Sequence, residues 1–200
     1  MLKIYGDIFS GNCYKIKLLC VLLEIDHEWI PIDILKSETR TDEFLQINPG
    51  GAIPVLTDES GQVYTESNAI LYFLGQNSEY WPEAVESQTR VLQWMFFEQY
   101  SHEPNIAVAR FIEHYLGLPD ERKDEYLSKQ KGGIRALKIM ELRLLVSKYL
   151  VGETPSLADI SLFAYTHVAH EGGFDLSQFP AVQQWIENIK ALLNFTGMEN

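Results

Sequence analysis

Two short segments of the sequence combine residue types that could bind a small peptide. Pro54 has no amide hydrogen and favours an extended conformation at Ile53, so the Ile53 backbone can pair with an extended ligand. Further on, Ser67 is predicted to cap a helix, because an extended run ends there and an apolar helical run begins. The helix N–H groups would hold a carboxylate, and the Glu66 carboxylate would hold an ammonium group. Each segment alone is also explained by an ordinary turn or cap, but the pair predicts a site for a ligand with an α-amino acid head and a peptide tail.

The turn that carries Ile53 reads Asn48-Pro-Gly-Gly-Ala-Ile-Pro-Val-Leu56. A strand is expected to begin directly after this turn while the Ile53 backbone still points outward. We therefore predict a cis peptide bond between Ile53 and Pro54, which about 5–6% of X–Pro bonds adopt in folded proteins.

The composition is that of an ordinary globular chain. Its 200 residues are 46% hydrophobic, enough for one large or two small packed domains. The sequence lacks an apolar run of membrane-spanning length and an N-terminal signal pattern, so we expect a cytoplasmic protein with no membrane partner. A net charge of −12 disfavours nucleic acid as a partner. The two cysteines, Cys13 and Cys20, match no redox or zinc spacing, so we expect reduced thiols and no metal.

The order of predicted elements indicates two domains of different class. Residues 1–77 alternate as strand, helix, strand, helix, strand, strand and helix, which is the order of a thioredoxin-like α/β domain. A linker is expected over 76–82. Residues 87–200 are predicted to form an all-α domain, with long helices over 87–116 and 122–150 and a final helix over 180–193. Between the last two helices, Ser156 and Asp159 are spaced as a capping box.

The turn at Asn48–Leu56 and the pair Glu66–Ser67 resemble the glutathione site of the cytosolic glutathione S-transferases. The element order extends this resemblance to nearly the whole chain. It implies a thioredoxin-like N-terminal domain followed by an all-helical domain, glutathione as co-substrate without a metal, and a homodimer. The implied activity is transfer of glutathione to a hydrophobic electrophile. The sequence is most similar to the bacterial theta-like and beta-like branch, whose members use a serine or cysteine.

Ser10 is the catalytic residue that this resemblance implies. Lowering a thiol pKa of about 8.5 by about 2 pH units takes about 2.7 kcal/mol. One charge-assisted hydrogen bond of about 1.5–3 kcal/mol, helped by a helix N-terminus, provides that much. Tyr5 is the rival, because it matches the residue of tyrosine-type members, and Cys13 is a weaker third candidate.

The resemblance also implies binding residues on both sides of the reaction. The glutathione-binding residues would be Asn12, Lys36, Ile53, Pro54, Glu66 and Ser67. The family's turn often carries Lys or Gln where this chain has Ala52, so one side-chain contact is missing. The electrophile would bind between Phe9 and the first long helix, against Phe97, Tyr100, His102 and Arg110.

Two other functions remain open on the sequence. One is a non-catalytic member that binds glutathione or a protein partner. The other is a glutathione-dependent peroxidase or thiol reductase, whose activity would depend on Cys13.

Overall fold

The computed structural model describes residues 1–198, which form two compact units. The first unit contains Met1–Ser78 together with the tail from Leu193, and the second contains Glu79–Leu192. The first is a four-stranded sheet with three α-helices, and the second is built from helices. The predicted fold class, thioredoxin-like followed by all-helical, is therefore confirmed.

The sheet of the first unit has the strand order β2-β1-β3-β4. Strand β1 (Leu2–Gly6) runs parallel to β2 (His27–Pro31) and antiparallel to β3 (Val55–Thr57), and β3 pairs with β4 (Val63–Tyr64) in the antiparallel sense. The helices of this unit are α1 (Gly11–Leu22), α2 (Asp42–Ile47) and α3 (Ser67–Gly75). These elements lie within a few residues of the expected positions.

The two faces of β1 point into different surroundings. Ile4 is fully buried, as are Ile16 of α1 and Ile70 of α3, and α1 packs against α3. Tyr5 points to the opposite face, where it lines a hollow with side chains of β2 and α2. This alternation follows from the pleat of the strand.

Gly6 ends β1 at a point where the chain has no room for a side chain. A Cβ there would lie 2.9 Å from the Trp29 ring and 3.0 Å from the Cys13 sulfur. The close packing brings the loop after β1 directly onto the first turn of α1.

The second unit begins with a long helical stretch over 85–115. It consists of α4 (Val85–Phe97), a π-helical turn (Glu98–His102), α5 (Glu103–Arg110) and a second π-helical turn (Phe111–Tyr115). The long helix was predicted, but its two π-helical turns were not. The remaining helices are α6 (Lys123–Leu144), α7 (Leu157–Thr166) and α8 (Pro180–Lys190).

The second long helix ends six residues before the predicted residue 150. Arg143 donates from Nε to the Leu150 carbonyl at 2.9 Å, and the Leu150 amide donates to Asp159 at 2.9 Å. These bonds turn the chain back toward the start of α7. Tertiary hydrogen bonds thus override a helical pattern that continues in the sequence.

The predicted capping box at the start of α7 is confirmed. The Ser156 amide and hydroxyl both donate to one oxygen of Asp159, each at 2.8 Å, and the Trp185 indole donates to the other at 2.9 Å. Burial raises the pKa of Asp159, and these hydrogen bonds act in the opposite direction.

The tail from Leu193 groups with the first unit, whereas the expected boundary placed it with the helices. The Tyr14 hydroxyl donates to the Thr196 carbonyl at 2.7 Å, and Asn194 donates to Glu24 at 3.1 Å. Both bonds join the tail to α1 or to the turn that follows it.

Candidate functional site

Ser10 lies at the N-cap position of α1, directly after the loop that leaves β1. Its carbonyl accepts from the amides of Cys13 and Tyr14, at 3.1 and 2.8 Å, while its hydroxyl makes no capping bond to the helix. The Ser10 side chain lies near the Cys13 thiol and acts to lower its pKa. Asp7 fixes the loop, because its carbonyl accepts from the Ser10 amide and its carboxylate from the Phe9 amide. The serine hydroxyl therefore stands at a helix N-terminus, with a thiol nearby.

A side-chain hydrogen bond joins the start of α1 to the start of α3. The Ser67 hydroxyl, largely buried, donates to the Asn12 side-chain oxygen at 3.3 Å. The prediction that Ser67 caps α3 is wrong by one position, because Glu66 is the N-cap and Ser67 is the first helical residue. The hydroxyl therefore faces α1 instead of its own helix end.

Glu66 adopts an unusual backbone conformation, with φ at 65° and ψ at 109°. Positive φ is uncommon for residues other than glycine and costs of order 1–3 kcal/mol. The side chain of Glu66 is exposed, so its carboxylate is presented to solvent at the start of α3. Strained residues of this kind cluster at ligand-binding sites.

The turn before β3 is held by Asn48. Its side chain donates to the Ala52 carbonyl at 2.7 Å and accepts from the Gly50 amide at 3.0 Å. The Ile53–Pro54 peptide bond is cis, which confirms that prediction. Val55, two residues after Ile53, pairs with Tyr5 near the end of β1. Ile53 thus lies at the same edge of the sheet as the loop that carries Ser10.

The two rivals of Ser10 stand in different environments from the serine. Tyr5 lies on the α2 face of the sheet with Phe44 and Ile47, opposite the face covered by α1. Cys13 is fully buried, and this burial raises its pKa to about 12. A thiol with that pKa is protonated at neutral pH, which argues against Cys13 as a nucleophile.

The predicted Lys36 contact is not tied to the rest of the site. Lys36 is highly exposed and pairs with Asp33 at 2.9 Å, which raises the pKa of the lysine. The sequence reasoning missed Arg40, whose guanidinium lies over Gly51 so closely that a Cβ there would overlap it. Gly51 has a φ of 58°, and the glycine thus lets a cation approach the turn before Ile53.

The sequence reasoning also missed Lys15, a fully buried lysine on α1. Its ammonium nitrogen is 3.5 Å from the Asn68 side-chain oxygen, one residue after Ser67. A lysine among apolar helix positions was the available signal, because the neighbouring Tyr14 and Ile16 are buried too.

The residues predicted for the electrophile fall into two groups. Phe9, in the first unit, and Tyr100, in the second, are exposed, and their role stays a prediction. His102 and Arg110 are buried within the helical unit, where His102 bonds Thr166 at 2.8 Å and Arg110 pairs with Glu171 at 2.5 Å. This burial indicates that both of them stabilise helix packing.

Neither a membrane span nor a metal cluster is found in residues 1–198. None of the helices there has the length and hydrophobicity to cross a bilayer. The same residues contain no group of three His, Cys, Asp or Glu side chains placed to hold a metal ion.

Comparison with known proteins gives the same two units. The family model for the N-terminal domain of glutathione S-transferase matches residues 9–77, and the model for the C-terminal domain matches residues 95–192. A crystal structure of a glutathione S-transferase from Pseudomonas fluorescens superposes with a TM-score of 0.98 at 54% identity, covering 100% of this chain and 99% of that one.

Curated relatives are more distant and carry different names. Glutathione S-transferase F10 of Arabidopsis thaliana is 30% identical over 174 residues, 83% of this chain and 80% of that protein. A disulfide-bond oxidoreductase of Escherichia coli is 28% identical over 189 residues, 91% of this chain and 87% of that protein. Two domain models in the expected order, and relatives that align over most of their length, show that the chain belongs to the glutathione S-transferase family.

Proposed function

We propose that the protein binds glutathione in its first unit and transfers it to an electrophilic carbon, with Ser10 stabilising the thiolate. The observation that carries this proposal is the place of the Ser10 hydroxyl, which stands at the N-terminus of α1 and makes no capping bond to the helix. A bound glutathione sulfur would approach the half-buried Ser10 from solvent and accept a hydrogen bond from its hydroxyl. The protein would then be a serine-type member of the family.

The peptide part of glutathione would be held by three neighbouring groups. The Ile53 backbone would pair with the cysteinyl residue, with Pro54 shaping the turn behind it. The Glu66 carboxylate would bind the ammonium group, and the start of α3 at Ser67 would bind the carboxylate of the same γ-glutamyl head. Asn12 would hold Ser67 in place, because its side-chain oxygen accepts a hydrogen bond from the Ser67 hydroxyl.

A thiol–disulfide exchange activity is the second candidate, because one relative is named as a disulfide-bond oxidoreductase. In this chain both cysteines are buried, and burial raises the pKa of each to about 12. Such a reaction would therefore use the thiolate of glutathione itself, which attacks a disulfide and releases one thiolate. Ser10 would serve both reactions in the same way.

The test is a pH titration of bound glutathione, in which the ultraviolet absorbance of the thiolate is measured. We expect a thiol pKa below that of free glutathione in the wild type and a rise of about 1–2 pH units in Ser10→Ala. Turnover at neutral pH should fall about 10- to 100-fold and recover in part at high pH.

Tyr5→Phe is the control for this experiment and should leave the titration unchanged. A shift in Tyr5→Phe without one in Ser10→Ala would move the catalytic role to the tyrosine. Binding of glutathione without any lowering of its pKa in the wild type would leave a binding protein in place of an enzyme. A panel of aryl halides, epoxides and small disulfides then separates transfer from disulfide exchange.

A further inference from the structure

The hollow between the sheet and α2 is a second concave site in the first unit. It lies on the face of the sheet opposite α1 and α3 and has a volume of about 320 Å³. Pockets that bind small molecules commonly measure about 300–1,000 Å³. At about 30 Å³ for each water molecule of the liquid, the hollow has room for about ten waters, or for one aromatic ring with a short side chain.

Most of the lining of this hollow is apolar. Tyr5 of β1 and Ile30 of β2 are register partners, so their side chains stand next to each other on this face of the sheet. Phe44 of α2 is buried, and Ile32 and Ile47 complete the apolar lining. Apart from Phe44, these side chains are only half-buried, so the fold leaves part of their apolar surface uncovered. Covering that surface favours the binding of an apolar group.

The polar part of the lining offers acceptors and negative charge. Among the described residues, the charged side chains that line the hollow are Glu38 and Glu43. One oxygen of Glu38 accepts from the Asp33 amide at 2.7 Å, and Glu43 is exposed and makes no hydrogen bond or ion pair with any of residues 1–198. The Thr41 hydroxyl is already used, because it accepts from the Phe44 amide and donates to the Glu38 carbonyl, each at 3.2 Å. Carboxylate oxygens therefore remain for a ligand.

The cations near the hollow leave the local charge negative. The loop between β2 and α2, together with the first two residues of α2, carries four carboxylates and two cations. Of these cations, Lys36 pairs with Asp33 at 2.9 Å, and the Arg40 guanidinium lies over the turn that follows α2. On the sheet, Lys3 pairs with Glu28 at 3.5 Å. The charge distribution therefore favours a cationic ligand over an anionic one.

We propose that this hollow binds a small arylalkylamine in its ammonium form. The apolar group packs against the three isoleucines and Phe44, and the ammonium group donates to Glu43 and to the second oxygen of Glu38. The rings of Tyr5 and Phe44 add a further attraction for a cation within about 6 Å of a ring centre. The hollow shares no residue with the proposed glutathione site around Ser10, so this inference does not depend on the proposed function.

The experiment measures calorimetric binding of 2-phenylethylamine, which is a cation at neutral pH. The neutral control of the same size is 2-phenylethanol, and the anionic control is 3-phenylpropanoate. We expect the amine to bind about 10-fold more tightly than the alcohol, and the carboxylate to bind more weakly than either. Saturating S-hexylglutathione should leave the amine affinity unchanged. Equal affinities of amine and alcohol, absence of amine binding at millimolar concentration, or displacement by S-hexylglutathione would overturn the proposal.

Substitution of the carboxylates separates a local contact from general attraction to an acidic protein. Glu43→Gln should weaken amine binding about 5-fold, and the double change with Glu38→Gln about 10-fold or more, while 2-phenylethanol binds as before. Asp42→Asn is the matched control, because it removes the same charge from the neighbouring position of α2, which does not line the hollow. It should leave the amine affinity within about 2-fold of the wild type. Equal losses in Glu43→Gln and Asp42→Asn would show that the amine does not contact Glu43.

NMR of the isoleucine methyl groups locates the ligand in the fold. The aromatic ring of the amine should shift the methyl signals of Ile30, Ile32 and Ile47, each assigned by substitution with valine. Ile70, on the other face of the sheet, and Ile160, in the second unit, should not move. Ile32→Phe fills the hollow and should abolish binding of both amine and alcohol. Shifts confined to isoleucines outside the hollow, or full binding in Ile32→Phe, would place the amine elsewhere and overturn the proposal.

Discussion

Glu66 pairs a strained backbone with a side chain that the proposed site needs. Its φ of 65° would suit glycine, but glycine has no carboxylate to bind an ammonium group. The strain therefore reduces stability at the position where the ligand head would bind. Other residues of the described chain share a positive φ, among them Glu24, with a φ of 53° at the end of α1.

We predict that Glu66→Gly makes the protein more stable and a weaker binder. Relief of strain should raise the free energy of unfolding by about 0.5–1 kcal/mol, net of the extra flexibility of the unfolded glycine. Loss of a charged hydrogen bond should reduce glutathione affinity about 10-fold or more. Denaturant unfolding and calorimetric binding measure the two effects.

Glu24→Gly is the control, because it relieves the same kind of strain elsewhere on the surface. It should leave glutathione affinity unchanged, while its gain in stability is partly offset by loss of the bond from Asn194. If Glu66→Gly binds glutathione as tightly as the wild type, Glu66 does not bind the ligand head.

At this scale the sequence predicted residue types better than their contacts. The turn at Ile53–Pro54 and the pair Glu66–Ser67 could be recognised because turn and cap chemistry is local. The bond from Ser67 to Asn12 and the burial of Lys15 depend on how α1 packs against α3. Contacts across 50 or more positions leave no periodic signal in the sequence.

The start of α7 shows how one helix end can organise several elements. Asp159 is fully buried and accepts hydrogen bonds from Leu150, Ser156 and Trp185, which belong to the preceding loop, the cap and α8. Breaking such a network leaves buried donors unsatisfied, at about 1–3 kcal/mol for each group.

We predict that Asp159→Asn lowers the free energy of unfolding by about 1–3 kcal/mol. One of the two acceptor oxygens becomes an amide that points its hydrogens at existing donors. Urea denaturation measures the free energy of unfolding of Asp159→Asn and of a control variant, Asp175→Asn. Asp175 caps the short turn at Leu176–Gln178 from an exposed position, so its loss should cost about 0.5–1 kcal/mol. Equal losses in the two variants would contradict the role assigned to the buried network.

Element prediction succeeded where local pattern and tertiary contacts agree. The strands and the capping box follow from alternation and from the Ser156 and Asp159 spacing. The end of α6 at Leu144 could not be predicted, because it is set by two later contacts of Leu150. Its carbonyl accepts from Arg143, and its amide donates to Asp159. The π-helical turns in the first long helix were likewise not predicted.

At the scale of the molecule, the first helix of the second unit carries an apolar face that its own unit leaves exposed. Val85, Leu92 and Phe96 are spaced by seven and four residues, which places them on one side of α4, and Phe96 is 71% exposed. Exposed apolar patches of this kind commonly mark interfaces. We propose that a second copy of the chain covers this face in a homodimer.

We predict that the protein sediments at about twice its chain mass of 23.0 kDa. Phe96→Glu should shift it to the monomer, because a charge would then be buried in the interface. Leu142→Glu is the control, since Leu142 is similarly exposed but lies on α6. A wild-type monomer at micromolar concentration, or a dimer that Phe96→Glu leaves intact, would contradict this interface.

The chain order of the two units has a consequence for synthesis. Residues 1–78 leave the ribosome before the helical unit. The tail from Leu193, which accepts a hydrogen bond from Tyr14 and donates one to Glu24, is made only after the whole helical unit. At about 5–20 residues per second, the helical unit alone takes several seconds or more to translate. The sheet and the three helices of the first unit are therefore made without their contacts to the tail. Those contacts can form only after the 114 residues of the second unit have been translated. A fusion partner placed before Met1 should therefore not affect docking of the tail. A partner placed after the tail would be attached to the segment that has to dock.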